Sequence, residues 1–161
     1  MHALTRDTFA LFIEPVVKKQ LRESLRFVPE EITDWQDRDF IAVMNRSRSE
    51  GVLVIEYPHA HTVPFQLQRR TPNAIGRIEA VICDICATWQ RGTDSAVIMF
   101  RRDRSSISFL CCADLLCSLH VRGKTVAAVR SRTQLREDIQ LPERIGRLRL
   151  RLHEMVKNTS I

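Results

Sequence analysis

Five cysteines fall in two short segments, "CDIC" at residues 83–86 and "CCADLLC" at residues 111–117. No other feature constrains the fold as tightly, because two thiol clusters separated by 24 residues must meet if they hold one ion. A C-x-x-C segment forms a knuckle whose tight turn aims two thiolates at a single point. Zinc takes such soft ligands in a tetrahedron, with Zn–S near about 2.3 Å. The second pair must then come from Cys111, Cys112 and Cys117. Neighbouring side chains of a strand point to opposite faces, so Cys111 and Cys112 cannot both face the metal from an extended segment. A helix predicted over residues 113–120 leaves Cys112 at a strand-to-helix junction and Cys117 in an early turn. Knuckle, β-hairpin and helix in that order describe a treble clef, with the spacing C-x2-C-x25-C-x4-C.

The compartment decides whether clustered cysteines read as ligands or as disulfides. The amino-terminal "MHALTRDTFALF" has no basic segment leading into an uncharged apolar one, so no signal peptide is expected. No apolar run reaches the roughly 18 residues of a membrane span. The expected location is the reducing cytoplasm, where such clusters bind metal or do redox work. A chain of 161 residues, 44% hydrophobic and 27% charged, has enough apolar content for one ordinary globular domain.

Periodicity predicts an α+β fold built of antiparallel hairpins around the zinc finger, with helical segments at both ends. A helical lead-in, about residues 4–35, places Phe9, Phe12, Ile13, Val16, Val17 and Leu21 at helical spacing, with Pro15 dividing it. A short helical turn follows, with Trp35 as a core anchor. β-Branched and aromatic runs at residues 51–57 and 62–68 predict one hairpin, with His59 and His61 at its exposed tip. "RIEAVI" predicts a strand leading into Cys83, and residues around 96–111 predict a second hairpin; the zinc module as a whole covers about residues 80–124. A closing helix, about residues 142–157, aligns Leu141, Ile145, Leu148, Leu152 and Met155 on one face, with Pro142 at its first position.

The segment "CADLLCSLHVRGK", residues 112–124, resembles the signature of the FusB-type elongation-factor-G-binding family, also called the FBP treble-clef zinc-finger family. Short actinobacterial-type members read C-A-D-x-x-C-S-x-Y-V-R-G-K here, after an upstream C-x-x-C. "LTRDTFALF", the tryptophan–phenylalanine region of residues 35–40 and the closing "RLRLRL" extend the resemblance along nearly the whole chain. The resemblance implies one structural zinc held by Cys83, Cys86, Cys112 and Cys117, with Cys111 an ordinary strand residue. Family positions matching His120 usually hold tyrosine, so His120 is expected to pack as an aromatic ring. Asp114 and Ser118, four apart, read as helix-capping residues.

The charge is uneven. Residues 1–100 carry 12 Lys/Arg against 13 Asp/Glu, whereas residues 101–161 carry 13 against 6. A local basic field favours an acidic or polyanionic partner. Candidate partner-binding residues are Arg101, Arg102 and Arg104 at the second hairpin, and Arg122 and Lys124 beyond the clef helix, where Gly123 turns the chain outward. Arg144, Arg147 and Arg151 share one stripe of the last helix and read as its solvated face. The resemblance implies a cytoplasmic, monomeric, non-enzymatic zinc protein that binds elongation factor G, with release of the factor from stalled ribosomes as a further step. FusB-type resistance proteins carry a helical bundle ahead of the clef domain, for which 161 residues leave no full room. The alternative is a zinc-stabilised module that binds ribosomal RNA; no membrane contact is expected.

Overall fold

The computed structural model describes residues 1–56, 59–101 and 104–159. Its centre is a five-stranded antiparallel sheet in the order β1-β2-β3-β6-β7, formed by β1 (Phe40–Met44), β2 (Glu50–Ile55), β3 (His61–Arg69), β6 (Ser95–Arg101) and β7 (Ser106–Cys112). A separate two-stranded ribbon pairs β4 (Val81–Ile82) with β5 (Trp89–Gln90). Both predicted hairpins form, β2–β3 and β6–β7. Pro64 is tolerated inside β3 because β6 pairs with that strand only from Gln66 onward.

The sheet buries both faces. On one, Phe40, Leu53, Ile55, Phe65, Ile98 and Phe100 join the cysteine module and Leu148, Leu152, Met155 and Val156 of α5 (Leu141–Thr159). On the other, Ile41, Val43, Val52 and Val54 pack against Phe9, Ile13 and Val17 of the lead-in. Alternation along β1 and β2 assigns successive residues to the two faces, which is why β2 is buried along almost its entire length. Each fully buried Leu or Ile contributes about 1.5–3 kcal/mol through removal from water.

Several local expectations need correction. The lead-in is divided as Pro15 requires, into α1 (Arg6–Ile13) and α2 (Lys19–Ser24), but Val16 is exposed in the turn between them. The segment around Trp35 is two 3₁₀ turns, Pro29–Glu31 and Trp35–Asp37, and Trp35 is partly buried against the lead-in core. The strand expected over "RIEAVI" shrinks to Val81–Ile82, because the chain before it is irregular and the knuckle follows at once. The predicted helix over residues 113–120 begins only at Cys117, as α3 (Cys117–Val121). Leu115 takes a left-handed backbone, φ 56°, which cannot continue a right-handed helix. In α5, Pro142 is the second residue and Leu141 is exposed, so the inward stripe starts at the partly buried Ile145. β1 and α4 (Val126–Leu135) were not anticipated.

Candidate metal centre

The knuckle forms because Cys83 and Ala87 close a tight turn. The Cys83 amide donates to the Thr88 carbonyl at 2.9 Å, and the Ala87 amide donates to the Cys83 carbonyl at 2.8 Å. Asp84 locks this turn to β7. Its amide donates to the Leu110 carbonyl at 2.8 Å, and its Oδ2 accepts the Leu110 amide at 2.7 Å. The knuckle is thereby held two residues before Cys112, the end of the strand that delivers it. α3 delivers Cys117, and its C-terminus closes with Gly123 at φ 74°. There the Gly123 amide donates to the His120 carbonyl at 3.1 Å and the Lys124 amide to the Leu119 carbonyl at 3.0 Å. The predicted exit turn at Gly123 is therefore present, as a paired-bond helix cap.

Cys83, Cys86, Cys112 and Cys117 are all buried, with their sulfurs within 4.8 Å of one another. Cys83 Sγ lies 3.8 Å from Cys117 Sγ, and Cys86 Sγ lies 3.5 Å from Cys112 Sγ. A tetrahedral site with Zn–S near 2.3 Å has sulfur–sulfur edges of about 3.8 Å. The donor set and its spacing fit one structural zinc ion. Cys111 is buried yet outside the group, and burial pushes its thiol pKa upward, so it stays neutral. It faces Ala96 in the β6–β7 ladder while Cys112 faces Ser95, which is the alternation that separates the two neighbours.

The electrostatics point the same way. Burial opposes a thiolate at Cys83, but hydrogen bonds from Cys112, Cys117 and Cys86 outweigh it and hold its pKa well below the ordinary thiol value. Donation to Cys112, Cys83 and Cys86 pushes Cys117 well above its usual value. Four thiols this close cannot all ionise unaided, and a divalent cation is what permits it.

Two polar networks flank the sulfurs, and neither was foreseen. Thr88 Oγ1 stands 2.9 Å from Cys86 Sγ and accepts Gln90 Nε2 at 2.8 Å, all three side chains being buried. On the other side His120 is buried, with Nδ1 2.7 Å from Thr125 Oγ1 and Nε2 3.2 Å from Asp114 Oδ1. His120 is thus tied by polar partners rather than packed simply as a ring. Asp114 also accepts the Leu116 amide at 3.0 Å, a turn-capping role. Burial raises the Asp114 pKa, but the bonds from His120 and Leu116 prevail and lower it. Ser118 does not cap; its Oγ accepts the Asp39 amide at 3.0 Å.

The predicted basic surface is only partly available. Arg101 and Arg104 are exposed, and Arg102 lies outside the described residues. Lys124 is half-exposed and pairs with Asp37. Arg122 is a correction: its side chain is 9% exposed and its Nη1 donates to Asp39 Oδ2 at 2.6 Å and to the Ser118 carbonyl at 3.0 Å. The helical stripe is corrected in part: Arg147 is partly buried and donates to Glu137 at 2.6 Å, whereas Arg151 is exposed as expected and reaches the Asp84 carbonyl at 3.0 Å. His59 is exposed, as expected of a hairpin tip, but His61 is a correction: it is partly buried and already paired in β3 opposite Ile55. Among the described residues, no helix is long and apolar enough to cross a membrane.

A family model described as the FBP C-terminal treble-clef zinc-finger matches residues 18–159. No curated protein and no solved structure matches the chain.

Proposed function

Because the chain belongs to the FBP C-terminal treble-clef zinc-finger family, we propose that it is a non-enzymatic zinc protein that binds translation elongation factor G on or near the ribosome. The observation that carries this reading is the closed donor set. Four buried sulfurs within 4.8 Å of one another would fill all four positions of a tetrahedral zinc, leaving none at which the metal could activate water or substrate. Such an ion stabilises a surface, with an apparent contribution of roughly 10–16 kcal/mol in zinc-finger peptides. The partner rests on the resemblance of "CADLLCSLHVRGK" to FusB-type proteins, whose clef domain binds the factor. A binder that favours the released factor promotes release through differential affinity alone, with no chemical step.

The candidate binding residues in this reading are Arg101, Arg102 and Arg104, with the half-exposed Lys124 as a further one; Arg122, held by Asp39, drops out of the set. Calorimetric titration with purified elongation factor G tests the reading. The wild type should bind, and the triple variant R101A/R102A/R104A should bind more weakly with unchanged zinc content. The difference should shrink as salt rises, as for charges at an interface rim. Absence of wild-type binding rejects the reading. The excess of Lys/Arg after residue 100 supports a second one, a zinc-stabilised RNA-binding module. Capture of ribosomal material that disappears on nuclease treatment would favour it.

A further inference from the structure

A cavity of about 470 Å3 opens beside the metal centre, where the β1–β2 turn, the end of β3 and the start of α4 converge. Arg48, Arg69 and Arg130 stand on it, and His120 and Asp114 lie within its lining. Both carboxylates that reach it are already engaged. Asp94 pairs with Arg130 at 3.3 Å, and Asp114 holds His120 and the Leu116 amide. Arg48 and Arg69 are exposed, and neither side chain makes an ion pair or hydrogen bond with another described residue. Two guanidiniums, one from the β1–β2 turn and one from the end of β3, therefore line a polar cavity without counter-charges of their own.

We propose that this cavity binds a phosphate group, with Arg48 and Arg69 as its two forks. A guanidinium presents a rigid pair of donors that matches two oxygens of an oxyanion. Two such forks approaching from different elements need more than the two oxygens a carboxylate offers. A tetrahedral phosphate supplies them and leaves one oxygen to carry an ester toward the open mouth. Arg130, held in place by Asp94, adds charge at the rim without closing the site. Inorganic phosphate, a phosphomonoester and the terminal phosphate of a 5′-phosphorylated nucleic acid all share this chemistry. The site is separate from the zinc ligands and from the Arg101–Arg104 face, so it stands or falls independently of factor binding.

The test is calorimetric titration of the zinc-loaded protein with inorganic phosphate at low ionic strength. Two variants run beside the wild type: R48A/R69A, and R46A/R91A as a charge-matched control whose residues are exposed but do not line the cavity. The wild type and R46A/R91A should bind saturably, and R48A/R69A at least tenfold more weakly, with equal zinc content in all three. A short 5′-phosphorylated single-stranded oligoribonucleotide that binds the wild type and is displaced by phosphate would assign the natural ligand to nucleic acid. Phosphate binding that the oligonucleotide leaves untouched would assign it to free phosphate or a phosphomonoester. Lack of saturable phosphate binding by the wild type, or equal weakening in both double variants, would overturn the proposal.

Discussion

A threonine hydroxyl has one proton to give, and at Thr88 its destination is fixed. The oxygen accepts the Gln90 amide at 2.8 Å and lies 2.9 Å from Cys86 Sγ and 3.8 Å from Cys112 Sγ; once those sulfurs are thiolates they can only accept, so the hydroxyl proton goes to sulfur. Four thiolates around a divalent zinc carry a net charge of about minus two in the core, and each buried donor offsets part of it. Thr88→Val keeps the shape and removes the donor. Zinc affinity should fall by roughly 10–100-fold, the usual effect of losing a hydrogen bond to a ligand. Chelator competition reads this, and an unchanged affinity would mean the hydroxyl merely fills space. The ligands themselves were legible in the sequence, because strand alternation separates Cys111 from Cys112 and the segment after Cys112 is specific to one family. Thr88 was not, since "CATWQ" shows a hydroxyl near a knuckle but not the direction of its proton.

Asp39, just ahead of β1, ties three elements together. Its Oδ2 accepts Arg122 at 2.6 Å at the end of α3, and its Oδ1 accepts Arg149 of α5 at 2.8 Å. Its amide donates to Ser118 within α3. Removing one partner of a buried pair leaves the other charge uncompensated, typically at a cost of about 3–5 kcal/mol. Asp39→Ala should lower stability by that order in denaturant melts; a change below about 0.5 kcal/mol, the size of an exposed pair, would contradict the clamp. This arrangement explains why "VRGK" misleads. As a sequence it is a solvated basic run, but the partner of Arg122 lies 83 residues upstream, beyond any local pattern. The early helix start at residue 113 failed for a different reason, the left-handed turn at Leu115. β1, by contrast, had a usable signal, the apolar "FIAVM" separated from "EGVLVI" by the polar turn "NRSRS".

Across the whole molecule, one antiparallel sheet carries two apolar layers that share β1 and β2. The lead-in closes one layer. The other is closed by α5 and by the cysteine module, whose four ligands come from a knuckle, a strand end and a short helix. α3 has only five residues, too few to persist without packing or a ligand. The α+β class, both hairpins and the terminal helices were legible because their periodicities are local. The sheet order and the flanking polar networks were not, because they depend on contacts between distant segments. The account's central claim is that one zinc, held by Cys83, Cys86, Cys112 and Cys117, completes this second layer. Elemental analysis of the purified wild type, Cys111→Ser and Cys112→Ser tests it most directly. One zinc per chain is predicted for the wild type and for Cys111→Ser, with loss of metal in Cys112→Ser; equal loss in the two variants would contradict it.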